Sequence, residues 1–166
     1  MQEDIFLGLG SNIGDREDHL KKVIEMLRNR VGEVIAISHI YETEPWGFSS
    51  KDKFLNLVVM MRSNLQPEEL LKIILQTEAE LGRTRESMHY SSRTIDIDIL
   101  LYGKMIINKP GLIIPHPLIQ KRRFVLVPLC DLIPEAVHPV LNKRFSTLLE
   151  ECPDRGEVKL YSLPSR

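Results

Sequence analysis

The sequence predicts an α+β fold of the ferredoxin-like type, with extra elements at the C-terminal end. Short apolar runs rich in β-branched residues are typical of strands, and two longer segments between them have helical spacing. Taken in chain order these segments give β-α-β-β-α-β, the order of a split βαβ arrangement with an antiparallel sheet flanked by helices. In such a sheet we expect the first and fourth strands to be neighbours at the centre.

The first half of the chain provides three of these strands and one helix. The helix is predicted from Asp15 to Val31, because apolar residues recur on one stripe and Asp15 is a suitable N-cap. A turn-rich segment over 10–15 precedes it; its glycines do not match a phosphate-binding loop. The strands are predicted over Ile5–Leu9, Glu33–Tyr41 and Phe54–Met61.

The second half begins with a helix from Gln66 to Gly82, which has Pro67 and two acids in its first turn, as helix starts prefer. The fourth strand follows at about 93–103, where Ile alternates with polar residues. The remaining elements are predicted as a hairpin over Lys104–Leu112, a helix over Phe124–Cys130, a short helix over Ser146–Glu151 and a final strand over Val158–Tyr161.

Composition limits the classes of function. At 166 residues the chain is predicted to form a single domain over 1–166, and its net charge of −1 gives no sign of a nucleic-acid or membrane partner. The acidic start does not resemble a signal peptide, and no apolar stretch has membrane-spanning length. Cys130 and Cys152 are expected to be reduced thiols. We expect a cytoplasmic, monomeric enzyme or binding domain.

Two carboxylates mark the fourth strand. Side chains alternate faces along a strand, so Asp96 and Asp98 share one face while Ile95, Ile97 and Ile99 share the other. Mg²⁺ prefers oxygen ligands and is often held by one or two carboxylates together with substrate phosphates. A metal site is therefore one interpretation of this pair, and two solvated acids at a strand end is an equally good one.

Cationic segments lie close to this strand in sequence. The segment 83–93 carries three Arg against one Glu, Arg122 and Arg123 form a second cluster, and His116 is fixed between two prolines. Guanidinium groups suit phosphate oxygens, although a polar segment is more commonly a solvated loop. Together with the acids they suggest a polyphosphate–Mg²⁺ site of the kind used in phosphoryl transfer.

A loop and a polar strand residue are candidates for holding the acceptor. The loop over 43–52 contains Trp46 and Phe48, which could close over a flat ring or could pack the loop onto its own sheet. Asn56 lies among hydrophobic residues, and a buried amide needs hydrogen-bond partners that a ligand could supply. These residue types do not identify the acceptor.

Six motifs are spread over about residues 5 to 130. They are Leu9–Asp15, Tyr41-x-Thr43-x-Pro45-x-Gly47, Phe54-Leu55-Asn56, Glu78-x-x-x-Gly82-Arg83, Arg93-x-x-Asp96-x-Asp98-Ile99, and Pro115-His116-Pro117 through Arg122-Arg123-Phe124. The Arg-x-x-Asp-x-Asp-Ile block is the most specific of them. Together these motifs resemble those of the 6-hydroxymethyl-7,8-dihydropterin pyrophosphokinase family of folate biosynthesis.

The resemblance implies transfer of the terminal diphosphate of ATP to the hydroxymethyl oxygen of the pterin, with release of AMP. It implies that Asp96 and Asp98 bind two Mg²⁺ ions, and that Arg83 and Arg93 contact the transferring phosphates; Asp98 is also a hypothetical base. ATP would further contact Glu78, Arg85, Tyr90, Ile99, His116 and Arg122. The pterin pocket would be formed by Thr43, Glu44, Trp46, Phe54, Asn56 and Phe124.

One segment departs from the family pattern. Many relatives have Arg-Trp-Gly-Pro-Arg where this chain has His89-Tyr90-Ser91-Ser92-Arg93, and Ser91-Ser92 lacks the turn-forcing backbone of Gly-Pro. Tyr90 could replace the Trp as the aromatic residue of a lid. Two other classes stay open from the residues alone: a non-catalytic ferredoxin-like sensor of small anions, and a different Mg²⁺-dependent nucleotidyl or phosphoryl transferase.

Overall fold

The computed structural model describes residues 2–45, 53–82 and 94–162. The first half of the fold comprises β1 (Glu3–Ser11), α1 (Arg16–Arg30), β2 (Glu33–Ile37), β3 (Ile40–Thr43), β4 (Phe54–Ser63) and α2 (Pro67–Glu80). The second half comprises β5 (Asp96–Tyr102), β6 (Ile107–Lys109), β7 (Leu112–Ile114), α3 (Arg123–Leu132), α4 (Phe145–Glu151) and β8 (Val158–Ser162). A 3₁₀ turn over Ile119–Lys121 precedes α3.

The main sheet is antiparallel and has the order β5-β1-β4-β3-β8, with β2 also paired to β4. β6 and β7 form a separate hairpin. This order agrees with the predicted β-α-β-β-α-β core, and the α+β ferredoxin-like class is confirmed. The final predicted strand, β8, extends this sheet beyond the four-stranded core.

The expectation that the Asp-x-Asp strand lies at the centre of the sheet is wrong. β5 does pair with β1 as predicted, but the other partner of β1 is β4, so β5 is the last strand at its end of the sheet among the residues that the structure describes. A chain segment lies along part of its outer side, where the backbone N–H of His116 donates to the carbonyl of Leu100 at 2.9 Å. The two acids therefore lie on an edge strand.

The single strand predicted over 33–41 is two strands, β2 and β3, which pair with different parts of β4. Between them, Ser38 hydrogen-bonds Val58 twice: its N–H donates to the carbonyl at 2.9 Å, and its hydroxyl accepts from the N–H at 2.8 Å. A side chain thus replaces part of the regular backbone ladder and interrupts the strand, although β2 and β3 both run antiparallel to β4. Sequence alternation alone could not reveal this substitution.

The two faces of the sheet are covered differently. On the first face, apolar side chains of β1, β4 and β5 pack against α1 and α2, and Leu20, Val23, Leu27, Leu70 and Ile74 are buried there. On the second face, α3 and α4 cover Phe6, Val58, Leu100 and Leu101. At the other end of this second face, the same strands carry Gly10, Asn56, Asp96 and Asp98 instead of large apolar residues.

A bulge in β5 marks the boundary between these two halves of the second face. Leu7 pairs with Ile99 and Phe6 with Leu101, so Leu100 is an extra residue. Consequently both Leu100 and Leu101 belong to the apolar cluster under α3 and α4, while Asp96 and Asp98 precede the bulge.

No helix within the described ranges is long and apolar enough to cross a membrane.

Candidate active site

A cleft lies on the second face of the sheet, between the start of β5 and the start of α3. Its lining includes Asp96 and Asp98 of β5, Asn56 of β4, and Phe124 of α3. The register explains this grouping, because Gly10 of β1 is opposite both Asp96 on β5 and Asn56 on β4. Three strands thus bring predicted metal and pterin residues to one place.

Two glycines of β1, predicted only as strand and turn residues, line this cleft. Gly8 is opposite Asp98, and Gly10 is a strand residue because β1 continues to Ser11. A Cβ atom at position 10 would lie 2.8 Å from Oδ1 of Asn56, closer than real side chains approach. Glycine inside an apolar strand often marks such a close approach, and that signal was available in the sequence.

The start of β5 is held against α2 by Glu78. The Oε2 atom of this buried carboxylate accepts the backbone N–H of Ile97 at 2.9 Å. Ile97 lies between Asp96 and Asp98, so the bond fixes the backbone that presents both acids. Ile99 is buried on the opposite face, in the core with α1 and α2. The nucleoside contacts predicted for Glu78 and Ile99 stay predictions.

Arg122 is the cation nearest to the acid pair within the described ranges. Its Nη1 atom lies 4.0 Å from Oδ2 of Asp98, and its side chain is only 9% exposed. The guanidinium carbon also lies 5.6 Å from the centre of the Phe124 ring, within the range of a cation–π contact. A buried positive charge is thereby held between the acids and the aromatic wall of the cleft.

His116 adds a hydrogen-bond donor whose tautomer follows from its neighbours. Its Nδ1 atom accepts the backbone N–H of Leu118 at 3.1 Å, so the proton of the neutral ring lies on Nε2. Burial and then the positive charge of Arg122 lower the pKa of His116 to about 4, against an opposing effect of Asp96. At neutral pH the imidazole is therefore an uncharged N–H donor.

We expect this histidine to make the protein less stable in acid. Its pKa rises from about 4 in the folded protein to the ordinary 6.5 on unfolding, so between these values the unfolded chain binds more protons. The free energy of unfolding should therefore fall as the pH falls through this window, by at most about 3.5 kcal/mol at about 1.4 kcal/mol per pKa unit. Denaturant unfolding of wild type and His116→Asn from pH 4 to 8 measures it.

The pH 8 measurement supplies the baseline, because the imidazole is neutral there in both states. Below pH 6.5 the wild-type curve should fall more steeply than the His116→Asn curve. His138 also has a pKa lowered by burial, but it is present in both proteins and its contribution cancels. Parallel curves over the whole range would contradict the assignment.

Among the predicted pterin residues that the structure describes, Asn56 and Thr43 form a buried polar pair beside the acids. Asn56 is buried and its amide donates to the hydroxyl of the buried Thr43 at 2.5 Å. Phe54 lies near Gly10, where a Cβ would contact its ring at 3.5 Å. Glu44 is further out, exposed and 3.6 Å from the ammonium of Lys53.

Six candidate residues of the sequence lie outside the described residues. They are Trp46, Phe48, Arg83, Arg85, Tyr90 and Arg93. Among the predicted residues that are described, Asp96, Asp98, Asn56 and Phe124 line one cleft, and Arg122 joins them through Asp98 and Phe124.

The donor set for a metal is a pair of carboxylates. In the ranges 2–45, 53–82 and 94–162 no group of three or more His, Cys, Asp or Glu side chains is arranged as a metal cluster. Two oxygen-donating side chains on one face fit Mg²⁺, which keeps several waters and accepts substrate phosphates as further ligands. The pair does not fit Zn²⁺, which favours closed sets of nitrogen and sulfur ligands.

An acid pair, a buried arginine and a neutral imidazole around one cleft are typical of enzymes that transfer phosphate groups. The family model of 7,8-dihydro-6-hydroxymethylpterin-pyrophosphokinase (HPPK) matches residues 6–134. The chain therefore belongs to this family, as its motifs predicted.

Curated relatives at 42–48% identity are also named as pyrophosphokinases of a hydroxymethyldihydropterin. The 2-amino-4-hydroxy-6-hydroxymethyldihydropteridine pyrophosphokinase of Porphyromonas gingivalis is 48% identical over 138 residues, which cover 81% of this chain and 93% of the relative. The enzyme of that name from Aquifex aeolicus is 42% identical, over 84% of this chain and 86% of the relative. The one from Bacillus subtilis is 42% identical, over 80% and 79%.

Solved structures with the same fold include larger proteins. A Plasmodium falciparum HPPK-DHPS triple mutant with STZ-DHP superposes with a TM-score of 0.76 at 17% identity, covering 91% of this chain. This chain spans 43% of that one. At this identity the comparison supports the fold alone.

Proposed function

We propose that this chain transfers diphosphate from ATP to the hydroxymethyl group of 6-hydroxymethyl-7,8-dihydropterin, giving AMP and the pterin diphosphate for folate biosynthesis. Family membership carries the pyrophosphokinase activity and the choice of substrates. The observation that carries the site is that one cleft contains the acid pair and the pterin candidates Asn56 and Phe124, with Arg122 beside Asp98.

Asp96 and Asp98 would hold two Mg²⁺ ions, as the family pattern implies. Metal held there would supply positive charge that neutralises the negative charge developing on the phosphates during transfer. The protein's own part is positional, because β5 is fixed at its start by Glu78 and opens onto the space that Gly8 and Gly10 leave free of side chains.

Arg122 and His116 would bind the phosphates from the other side of the acid pair. Arg122 offers a permanent positive charge, and the Nε2–H of His116 offers a neutral donor at physiological pH. Both are held before substrate arrives, Arg122 by burial and His116 by two backbone hydrogen bonds. Preorganised donors of this kind lose little free energy to reorganisation during the reaction. Arg83 and Arg93 stay predicted phosphate contacts.

The pterin would lie between Phe54 and Phe124, with its polar edge towards Thr43 and Asn56. The hydroxyl of Thr43 already accepts the amide of Asn56, so the orientation of that amide is set and its Oδ1 faces Gly10. A site with a fixed donor and acceptor order rejects ligands that cannot match it. Trp46 and Glu44 stay predicted members of this pocket, and Asp98 stays the hypothetical base for the attacking hydroxyl.

Gly10→Ala should weaken pterin binding while leaving the fold intact. The new Cβ would lie 2.8 Å from Oδ1 of Asn56 and displace the amide that we assign to the pterin edge. The loss of affinity should be on the order of tenfold, as for the 1–3 kcal/mol cost of overpacking. Calorimetry with the pterin and an ATP analogue measures it, with analogue affinity as the internal control. Unchanged pterin affinity would contradict this placement of Asn56.

Product analysis tests the function. Purified protein with ATP, Mg²⁺ and the pterin should give AMP and the pterin diphosphate in equal amounts. ADP as the nucleotide product would indicate a different phosphoryl transferase, and absence of turnover with retained ATP binding would favour the anion-sensor alternative. Dependence on Mg²⁺ is checked by adding a chelator.

The single domain over 1–166, the monomeric state and the cytoplasmic location stay predictions from the sequence.

A further inference from the structure

The first turn of α3 takes its cap from a distant part of the chain. Arg122 occupies the N-cap position, makes no side-chain capping bond, and is followed by no acid in the first turn. The backbone N–H groups of a first helical turn need such partners. Asp154, between α4 and β8, supplies one: its Oδ2 atom accepts the N–H of Arg123 at 3.1 Å.

The capping carboxylate is itself fixed in place. Its second oxygen, Oδ1, accepts the N–H of Gly156 at 2.9 Å. The chain is anchored on both sides of this turn, because Cys152 is buried with α3 and α4 and Val158 pairs with Thr43 at the start of β8. Asp154 is therefore presented to α3 by a short segment with little freedom to move.

The capped turn carries Phe124, whose side chain forms the wall of the cleft that faces the acids. Arg122 has other restraints, since it is buried and close to Asp98, whereas Phe124 is partly exposed on the helix that Asp154 caps. Loss of the cap would therefore act first on the ring. Asp154 lies beyond residues 6–134, the part of the chain that matches the family model.

We propose that Asp154 is a positioning residue for pterin binding: by capping α3 it holds the Phe124 ring against the substrate. This rests on the proposed function, through the assignment of Phe124 to the pterin pocket. The C-terminal segment thereby contributes to a site whose predicted residues all precede it in the chain.

Asp154→Ala should lower pterin affinity about fivefold, since loss of an N-cap costs about 1 kcal/mol. Affinity for an ATP analogue with a methylene group between the α- and β-phosphorus atoms should change less than about twofold, because Arg122 keeps its burial and its position beside Asp98. Asp154→Asn keeps one acceptor oxygen, which serves the N–H of Arg123 at the expense of the bond to Gly156. It should bind pterin within about twofold of wild type, because Asn caps helices almost as well as Asp. Calorimetry with each ligand measures these affinities.

Two control variants separate capping from charge and from stability. Glu150→Ala removes the same charge from an exposed position of α4, and Val23→Ala destabilises the core on the other face of the sheet. Both should bind pterin as wild type does. Wild-type affinity in Asp154→Ala, an equal loss in Val23→Ala, or a loss in Asp154→Asn as large as in Asp154→Ala would overturn the proposal. Failure of the wild type to form AMP would instead contradict the proposed function.

Discussion

Asp98→Asn is expected to reduce AMP formation by about 10³-fold or more, the largest effect of any single substitution considered. The exchange keeps the shape of the side chain but replaces an anionic oxygen by an amide nitrogen, which cannot ligate a hard cation. It also removes the charge facing Arg122 at 4.0 Å. The fold should survive, because the side chain of Asp98 is one-third exposed at the edge of the sheet.

The measurement is AMP release as a function of Mg²⁺ concentration. In Asp98→Asn the remaining activity should need much more Mg²⁺ to saturate. Asp4→Asn is the matched control, since Asp4 is also a strand carboxylate paired with an arginine, Arg62, but lies at the other end of β1. It should retain wild-type turnover. Normal turnover of Asp98→Asn at normal Mg²⁺ would exclude the metal assignment.

Arg122→Met should lower turnover by about 10²-fold, the loss typical of removing one preorganised donor to a transition state. Methionine fills most of the buried space of the arginine stem, so the loss reports the charge. Its signature differs from that of Asp98→Asn: without the nearby cation, the acid pair should bind Mg²⁺ at least as well as in wild type. Opposite effects on Mg²⁺ affinity would therefore separate phosphate binding from metal binding.

A second readout comes from His116. Burial and then the charge of Arg122 lower the pKa of His116, so removal of the charge should raise that pKa above about 4 while burial still holds it below the ordinary value. An NMR titration of the imidazole measures this. Arg123→Met, one position further along the chain, is the control; its backbone N–H keeps the bond to Asp154. Equal turnover losses in the two variants would contradict a specific role of Arg122.

Much of the fold follows from local sequence signals. Neighbouring residues determine the element order and also the cap of α1, where Asp15 accepts the N–H of Asp18 at 3.1 Å. The division between β2 and β3 does not follow from neighbouring residues, because it depends on hydrogen bonds between Ser38 and Val58, twenty residues away. The edge position of β5 could have been predicted from the order of a split βαβ sheet, and our placement of it was an error of topology.

The candidate site could likewise be predicted from the sequence only in part. Strand alternation was sufficient to put Asp96 and Asp98 on one face, residue type indicated Asn56 and Arg122, and the family resemblance added Phe124. The contacts that hold these groups join distant segments: Glu78 to Ile97, and Asp154 to Arg123. A carboxylate that stabilises a backbone N–H of another element leaves no periodic pattern, so only the three-dimensional structure identifies it.

The edge position of β5 also has a consequence for association between chains. An exposed edge strand offers free N–H and C=O groups on which another chain can pair and aggregate. On β5 the N–H of Ile97 is bonded to Glu78 and the carbonyl of Leu100 to His116, so intramolecular partners occupy the ladder at both points. β5, the strand that presents the two acids, can therefore be an edge strand and still have a lower tendency to pair with a strand of another chain.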